Sequence, residues 1–527
     1  MPTVASLFLA VIIAVTTWSF FFRARRARLP PGPIGNALVG NLFQIPLHRP
    51  WLYFEKLGRL YGPVVRLRLG WEEIVVLNEA EDAEELLSRR SKNYSSRRPL
   101  IYAGKYLKGN EALVLSPYGE GWRMIRSLFH SILQPRVLHR YEALQELEST
   151  KFLSDLLHDR WPGDLFKSAS HFSASVIYLL AYGKRLKDDD KDLDELIEIM
   201  DGFVEDCYPG AHLVDTFPFL DYLPDFLAPW RKEALRKRDR EMALFGRLAD
   251  DARKGIESSD VFPECFASIL WQQKEEQKLP DTAVYSTTGE LFEAGTDTLA
   301  STIMWFFLAM LENPDVLQKA QTEIDSVVGQ DGAVMPGLRH LEELPYCTAV
   351  LKETFRWMPV VPGGFPHYSE AEDVYKGFAI KAKTMVIPNI WSMHRNEGEF
   401  PNSSMFNPDR FLSNVASEVA SPSDLTGGHY GFGFGRRICP GRYLASQTIW
   451  IAITRIMWAF RLEHATSPDG KPMKVDTNLS TTQIISRPLS FPLAIFPRTQ
   501  RHADTIDSEW RRQKDIPSKE LVRLAAD

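Results

Sequence analysis

The string Phe432-Gly-Phe-Gly-Arg-Arg-Ile-Cys-Pro-Gly441 holds the residues best suited to chemistry. Gly433, Gly435 and Gly441 let the backbone approach something flat and large. Cys439 lies among them, and Pro440 after it can start a helix. A helix N-terminus and the adjacent Arg437 both favour a thiolate over a thiol. A lone thiolate in such a loop suits an axial ligand to iron. The other cysteines, Cys207, Cys265 and Cys347, lie far apart and form no C-x-x-C pair. Zinc ribbons and a disulfide framework are therefore excluded, a reducing compartment fits, and these three read as buried apolar residues.

Two further groupings carry charge at helical spacing. Glu353 and Arg356 stand three residues apart, so on a helix they share a face and can pair. The run Ala294-Gly-Thr-Asp-Thr298 sets small and polar residues before a very apolar stretch, Leu299–Leu311. Thr298 falls on the face of Gly295. Its hydroxyl can bond back to the helix and open a local kink, and Asp297 is placed to relay protons. The glycines at 433 and 435 do not make a dinucleotide fingerprint, because the spacing differs from G-x-G-x-x-G and no strand–helix unit surrounds them.

The string at 432–441 resembles the haem-binding loop of the cytochromes P-450, F-x-x-G-x-R-x-C-x-G. Phe432, Gly435, Arg437, Cys439 and Gly441 fill every specified position. The resemblance implies haem b with Cys439 as its thiolate ligand, and a thiolate pushes electron density toward O–O cleavage. Other family signatures follow in the family's order. Glu353 and Arg356 match E-x-x-R, and Pro408-Asp-Arg-Phe411 resembles P-E-R-F, so Arg410 would join them in a structural charge cluster. Trp122 and Arg126 match W-x-x-x-R, which together with His367 implies contacts to the haem propionates, and arginine suits bidentate carboxylate binding. Ala294–Thr298 resembles the oxygen-side segment A-G-x-D-T, with Gly295 leaving room for dioxygen and Asp297 and Thr298 as catalytic residues. Two departures are small: Asp409 stands for the usual Glu, and Leu299 follows Thr298 where a second hydroxyl residue is common.

Positioning such a site requires a large scaffold. The chain has 527 residues, 44% of them hydrophobic and 12% aromatic, enough for a substantial core. The family likeness implies a cytochrome P-450 fold, mainly α with small β-sheets, over 29–497. Apolar periodicity predicts helices near 136–160, 165–182, 191–206, 231–257, 284–312, 314–328, 340–357 and 441–460. Val64–Leu69 and Ile74–Leu77 read as a hairpin about a turn at Gly70–Glu73, and Val374–Ile380 with Thr384–Pro388 as a second strand pair. The segment 184–195 reads as a solvated loop, Leu299–Leu311 as a buried core helix, and 498–527 as a polar, loosely held tail.

From Val4 to Phe22 no residue is charged, close to the roughly 20 residues of a membrane-spanning helix, and Arg23, Arg25, Arg26 and Arg28 follow at once. The positive-inside rule then keeps the remainder cytosolic, so 1–28 is expected to be one N-terminal transmembrane anchor with an arginine stop. Leu29-Pro-Pro-Gly-Pro33 makes a stiff break after it. The net charge of -6 gives no reason to expect nucleic acid as a partner.

By position in the family, substrate contacts fall near Leu100–Pro117, Cys207–Trp230, the helix carrying Thr298, Val360–Phe365 and Thr482–Ile484. These stretches are apolar and aromatic, and the run from Phe217 to Trp230 is rich enough to touch lipid. The strings Phe365–Asn389 and Gly431–Ala445 look most like microsomal fungal members of secondary metabolism, which act on terpenoids, polyketides and indole derivatives at the endoplasmic reticulum. No flavin or nicotinamide domain is evident. The resemblance therefore implies NADPH–cytochrome P-450 reductase and cytochrome b5 as electron donors, with Arg123, Arg436 and Arg442 as a basic docking patch. Two alternatives stand beside the monooxygenase: a haem-thiolate isomerase or dehydratase, disfavoured by the Asp297–Thr298 pair, and a non-catalytic membrane protein of the same fold, disfavoured by Cys439.

Overall fold

A computed structural model describes residues 28–517 and 520, except 162, 188–189, 208–209, 258–264, 413–423, 468, 478 and 482–483. The expected anchor over 1–28 lies outside them but for Arg28, as does part of the substrate turn at Thr482–Ile484.

Helices dominate, and small sheets lie at the edges. The helix Asp281–Glu312 runs through the middle, with every residue from Leu299 to Leu311 buried. It is long and apolar enough to cross a bilayer, yet it is enclosed by protein, as expected of a core helix. Leu165–Tyr182 packs along it, starting where the Asp164 carboxylate caps the Lys167 N–H and ending at Gly183 in the left-handed conformation. Arg442–Ala459, which begins at Gly441, packs against both the core helix and Pro345–Trp357. These helices share one apolar core in which Trp305, Trp450 and Trp458 are wholly enclosed.

One sheet has the order β1 (Val64–Leu69), β2 (Glu72–Leu77), β6 (Met385–Pro388) and β3 (His367–Tyr368). The hairpin β1–β2 forms as expected, its second strand starting two residues earlier, at Glu72. The second expected pair does not form. Asp373–Tyr375 (β4) pairs within its own segment with Phe378–Ile380 (β5), while β6 leaves to run parallel to β2. All four β6 side chains are buried, so it takes an interior place that an exposed local hairpin does not offer. Phe460–His464 (β7) pairs with Leu493–Pro497 (β8).

The helices at 165–182 and 191–206 have the expected bounds. The latter claims Lys191–Glu195 from the expected loop, because Asp190 caps it. Helices at Pro50–Tyr61 and Glu120–Leu133 were not expected. The stretch expected to be a loose tail contains the helix Gln500–Gln513, capped by Thr499. Its His502, Ala503, Thr505 and Ile506 are buried, so a single narrow apolar face docks an otherwise polar sequence.

Candidate haem-thiolate site

The cysteine loop closes on itself before the helix Arg442–Ala459 starts. The Cys439 N–H donates to the Phe432 carbonyl at 2.9 Å. Burial pushes the Cys439 thiol up, against the N–H groups of Gly441 and Arg442 and the charges of Arg126 and Arg442, which favour the thiolate. Arg437 does not help the sulfur as expected. Its guanidinium instead donates to the carbonyls of Ser95, Leu113 and Ser116, at 2.6, 2.9 and 2.6 Å.

The loop glycines have different reasons. Gly435 has φ +57, and a Cβ there would lie 2.0 Å from the Leu87 carbonyl oxygen, so it is required by the fold. A Cβ on Gly433 or Gly441 would meet nothing within 4 Å, so no neighbour crowds these two. The Phe432 ring packs on Phe355, centroids 5.1 Å apart, which ties the loop to the helix Pro345–Trp357.

On that helix Arg356 donates to both oxygens of Glu353, at 2.7 and 2.8 Å, and neither side chain is exposed. Arg356 also donates to the carbonyls of His394, Ser403 and Met405. Arg410 and the Asn407 N–H complete the Glu353 carboxylate at 3.2 and 2.7 Å. His394, with no expected role, extends the chain of bonds: its Nε2 accepts the Tyr430 N–H at 2.8 Å, two residues before Phe432. Asp409 points elsewhere and pairs with Lys319.

A second cluster gathers cations. Arg126 donates to the Ile438 carbonyl at 2.6 Å, beside the cysteine. Arg437 lies over the Trp122 ring, 4.4 Å from its centroid, and the Trp122 indole N–H is donated to Leu113. Arg97, which sequence reasoning missed, donates to the carbonyls of Val114 and Pro366 at 3.1 and 2.5 Å. Among the described residues none of these three arginines is ion-paired with a carboxylate. Burial, with Arg97 and Arg126 alongside, pulls Arg437 down to about 8, and burial pulls Arg97 to about 10. His367 sits among them, but burial and the charges of Arg97 and Arg437 hold it neutral. Its Nδ1 must donate to the Tyr94 carbonyl, 2.7 Å away, which leaves only a lone pair at Nε2. As it stands, His367 offers no proton to a carboxylate.

The core helix presents a stripe that differs from its buried surroundings. Ala294 is exposed and Gly295, Asp297 and Thr298 are half-buried, although the residues after them are enclosed. The Thr298 hydroxyl donates to the Ala294 carbonyl at 2.7 Å. Gly295 does not open this stripe: a Cβ there would strike Ile177 at 2.7 Å, so the glycine serves the packing of Leu165–Tyr182. Asp297 pairs with Arg487 at 3.2 Å, and burial raises its carboxyl to about 6. Two turns earlier, Glu290 accepts the N–H groups of Leu113 and Val114 at 2.8 and 3.0 Å, fixing the loop whose Leu113 carbonyl receives Trp122 and Arg437. Sequence reasoning missed Arg97, Glu290 and Arg487, each of which works through a partner far along the chain.

The arrangement is a thiol and a trio of unpaired guanidinium groups on one side, and an acid and a hydroxyl on a buried helix. The family model for cytochrome P-450 matches residues 30–489. The chain belongs to the cytochrome P-450 family. Curated relatives extend over nearly the whole length. Cytochrome P-450 monooxygenase 69 of Postia placenta is 34% identical over 95% of both chains. Monooxygenase aneD of Aspergillus aculeatus is 33% identical over 98% of both, and fogE of Aspergillus ruber 33% identical over 97% of this chain and 95% of its own. This P-450 is accordingly an oxidoreductase of the monooxygenase type, a family that uses haem held by a cysteine thiolate.

Removing one partner of the buried Glu353–Arg356 pair leaves a charge with no counterion. Glu353→Ala is expected to cost about 3–5 kcal/mol. The haem-loaded fraction of purified protein, read from the ratio of haem to protein absorbance, should drop steeply. Full loading with lost turnover would instead assign Glu353 a direct part in the reaction.

Proposed function

We propose that this P-450 is a monooxygenase anchored by residues 1–28 in the endoplasmic-reticulum membrane. It hydroxylates a lipophilic small molecule of secondary metabolism, of terpenoid, polyketide or indole type. Its electrons come from NADPH through NADPH–cytochrome P-450 reductase, with cytochrome b5 as a second donor. The observation that carries the haem assignment is the trio of Arg97, buried, and Arg126 and Arg437, half-buried, gathered near Cys439 without carboxylate partners among the described residues. Cations partly withdrawn from water in this way accept an anion of fitting shape, and two propionate groups supply it.

Haem b, bound with Cys439 as its thiolate ligand, supplies the activation of dioxygen. The reaction consumes substrate R–H, O2, two electrons and two protons, and yields R–OH and water. Gly441 and Arg442 stabilise the thiolate through their N–H groups. Arg97, Arg126 and Arg437 hold the propionates, Arg437 braced over Trp122. An arriving carboxylate offsets the two guanidinium charges beside His367 and lets that ring take a second proton and donate it. Phe432 backs the loop. Gly435 fixes its turn, and Glu353, Arg356 and Arg410 keep the segment under it in place.

Proton supply falls to the core helix. Asp297, half-protonated near pH 6, holds a proton on its carboxyl, and Thr298 offers its hydroxyl one residue on. An isomerase that receives a ready-made peroxide needs neither group, which is why the hydroxylating reading is preferred. Support for a lipid-facing surface comes from Phe219, Tyr222 and Phe226, all exposed, and from Trp71, whose ring meets Phe217 at 6.4 Å. Ile34, Leu38 and Phe43 are exposed close to where the anchor would end. Arg436 is exposed, and Arg442 is half-buried beside the cysteine loop. With Arg123 they form the basic docking patch for the reductase.

Three outcomes follow. Under carbon monoxide the reduced protein should show the strongly red-shifted Soret band of thiolate-ligated haem, and Cys439→Ser should abolish it; survival of the band would move the ligand elsewhere. Deleting residues 1–28 should weaken membrane retention in fractionated cells with the haem spectrum intact, whereas undiminished retention would place the anchor in the body of the protein. Thr298→Ala should keep haem and NADPH consumption but divert electrons to hydrogen peroxide. Acid–base assistance of this kind is worth about 10²–10⁴ in rate, so product per NADPH should fall clearly. Equal coupling in wild type and variant would remove Thr298 from the proton path.

A further inference from the structure

An ion pair joins the C-terminal turn to the core helix. Arg487 Nη1 donates to Asp297 Oδ1 at 3.2 Å. The arginine is held in place before it reaches the acid. Its backbone N–H is donated to Thr481 Oγ1 at 3.0 Å, and the Thr481 N–H to the Arg487 carbonyl at 2.8 Å. The preceding residue, Ser486, donates its N–H to the Val360 carbonyl at 2.7 Å and accepts the Trp305 indole N–H at 2.9 Å. The guanidinium lies on the Phe166 ring, 3.9 Å from the centroid, which fixes its plane. The Asp297 side chain is only 15% exposed and that of Arg487 24%, so solvent screens this pair less than a surface one.

We propose that Arg487 is a positioning residue for proton delivery by Asp297, tying the acid to the C-terminal turn that carries the arginine. This rests on the reading of Asp297 as the proton-holding acid. The Asp297 carboxyl gives its proton to a water on the Thr298 side, and the resulting carboxylate stays paired with Arg487 until a second water returns a proton to it. The bond to Arg487 fixes where the emptied oxygen waits. The anchoring of the neighbouring Ser486 to Val360 and Trp305 makes that place depend on how the turn packs against the core helix. The charges facing Asp297 are few. Arg487 opposes burial and lowers the carboxyl, while the exposed Asp201, on the helix Lys191–Asp206, raises it. On Asp297's own helix, Glu293 is engaged by Lys108 at 2.9 Å, and the helix Leu165–Tyr182 sets Phe166 against the Arg487 guanidinium and Ile177 against Gly295.

The test uses the haem-loaded enzyme with reductase and NADPH, and two readouts. The first is the pH titration of the Asp297 carboxyl stretch, taken as an infrared difference against Asp297→Asn. The second is product and peroxide per NADPH. Wild type should titrate at about 6. Arg487→Gln should move that midpoint up by about one unit or more and lower product per NADPH, with the balance appearing as peroxide. Arg487→Lys should restore most of both, and Asp201→Asn should move the midpoint down. A midpoint that stays near that of wild type in both Arg487→Gln and Arg487→Lys, whatever happens to haem loading, overturns the inference and makes Arg487 a packing residue. If Asp297→Asn itself leaves coupling intact, the reading of Asp297 as the acid fails. If Asp297→Asn uncouples and Arg487→Gln does not, only the role of Arg487 fails.

Discussion

The Glu353–Arg356 pair has no exposure to solvent, and the region behind the cysteine is arranged to make that tolerable. Taking two charges out of water costs several kcal/mol per ion, and mutual attraction repays it only when the remaining hydrogen-bond sites are filled. Here they are filled by chain that has no other reason to be there. The carbonyls of His394, Ser403 and Met405 converge on Arg356, and the Asn407 N–H and Arg410 converge on Glu353. A segment of irregular backbone is thereby tied to the helix Pro345–Trp357. His394, whose carbonyl is one of those acceptors, then holds Tyr430 and hands the order on to the cysteine loop. The loop needs this support because its own secondary structure is one short turn, Gly435–Arg437.

The motif residues were legible because each brings its partner within a few positions or belongs to a fixed string. Glu353 and Arg356 are neighbours on one helix, and Cys439 lies within a loop that contains its own closing carbonyl, Phe432. The core helix was equally legible, since nothing but a protein interior suits thirteen residues as apolar as Leu299–Leu311 in a span too short for a bilayer. Arg97, Glu290 and Arg487 were not legible. An arginine in a loop or a glutamate on a helix has many exposed uses, and only tertiary approach selects among them. The partner of Arg487 lies 190 residues away, and those of Glu290 lie 177 and 176.

Two errors of the sequence reading have the same origin. Thr384–Pro388 was paired with its nearest neighbour in sequence, whereas a fully buried strand seeks the interior of the larger sheet. Gly295 and Gly435 were assigned to ligands, since glycine signals close approach without saying what approaches. For Gly295 it is Ile177, and for Gly435 the backbone of Leu87. Both glycines matter to the site, but through the scaffold. The sequence marks the positions where space is scarce, and only the packing says which neighbour makes it scarce.

Burial of charge is used here in three degrees, and the degree decides the use. Glu353 receives two guanidinium groups and a backbone N–H, so its charge is locked and its place is structural. Arg97, Arg126 and Arg437 receive only carbonyls, so they keep an unmet demand for an anion. Asp297 stands between these cases, with one partner at 3.2 Å and burial working against its charge. A buried carboxyl with no partner would hold its proton too tightly to give it up. A single, off-centre arginine leaves both states of the acid within reach. The position of that arginine is in turn set by Thr481, which bonds its backbone, and by the Phe166 ring beneath its guanidinium.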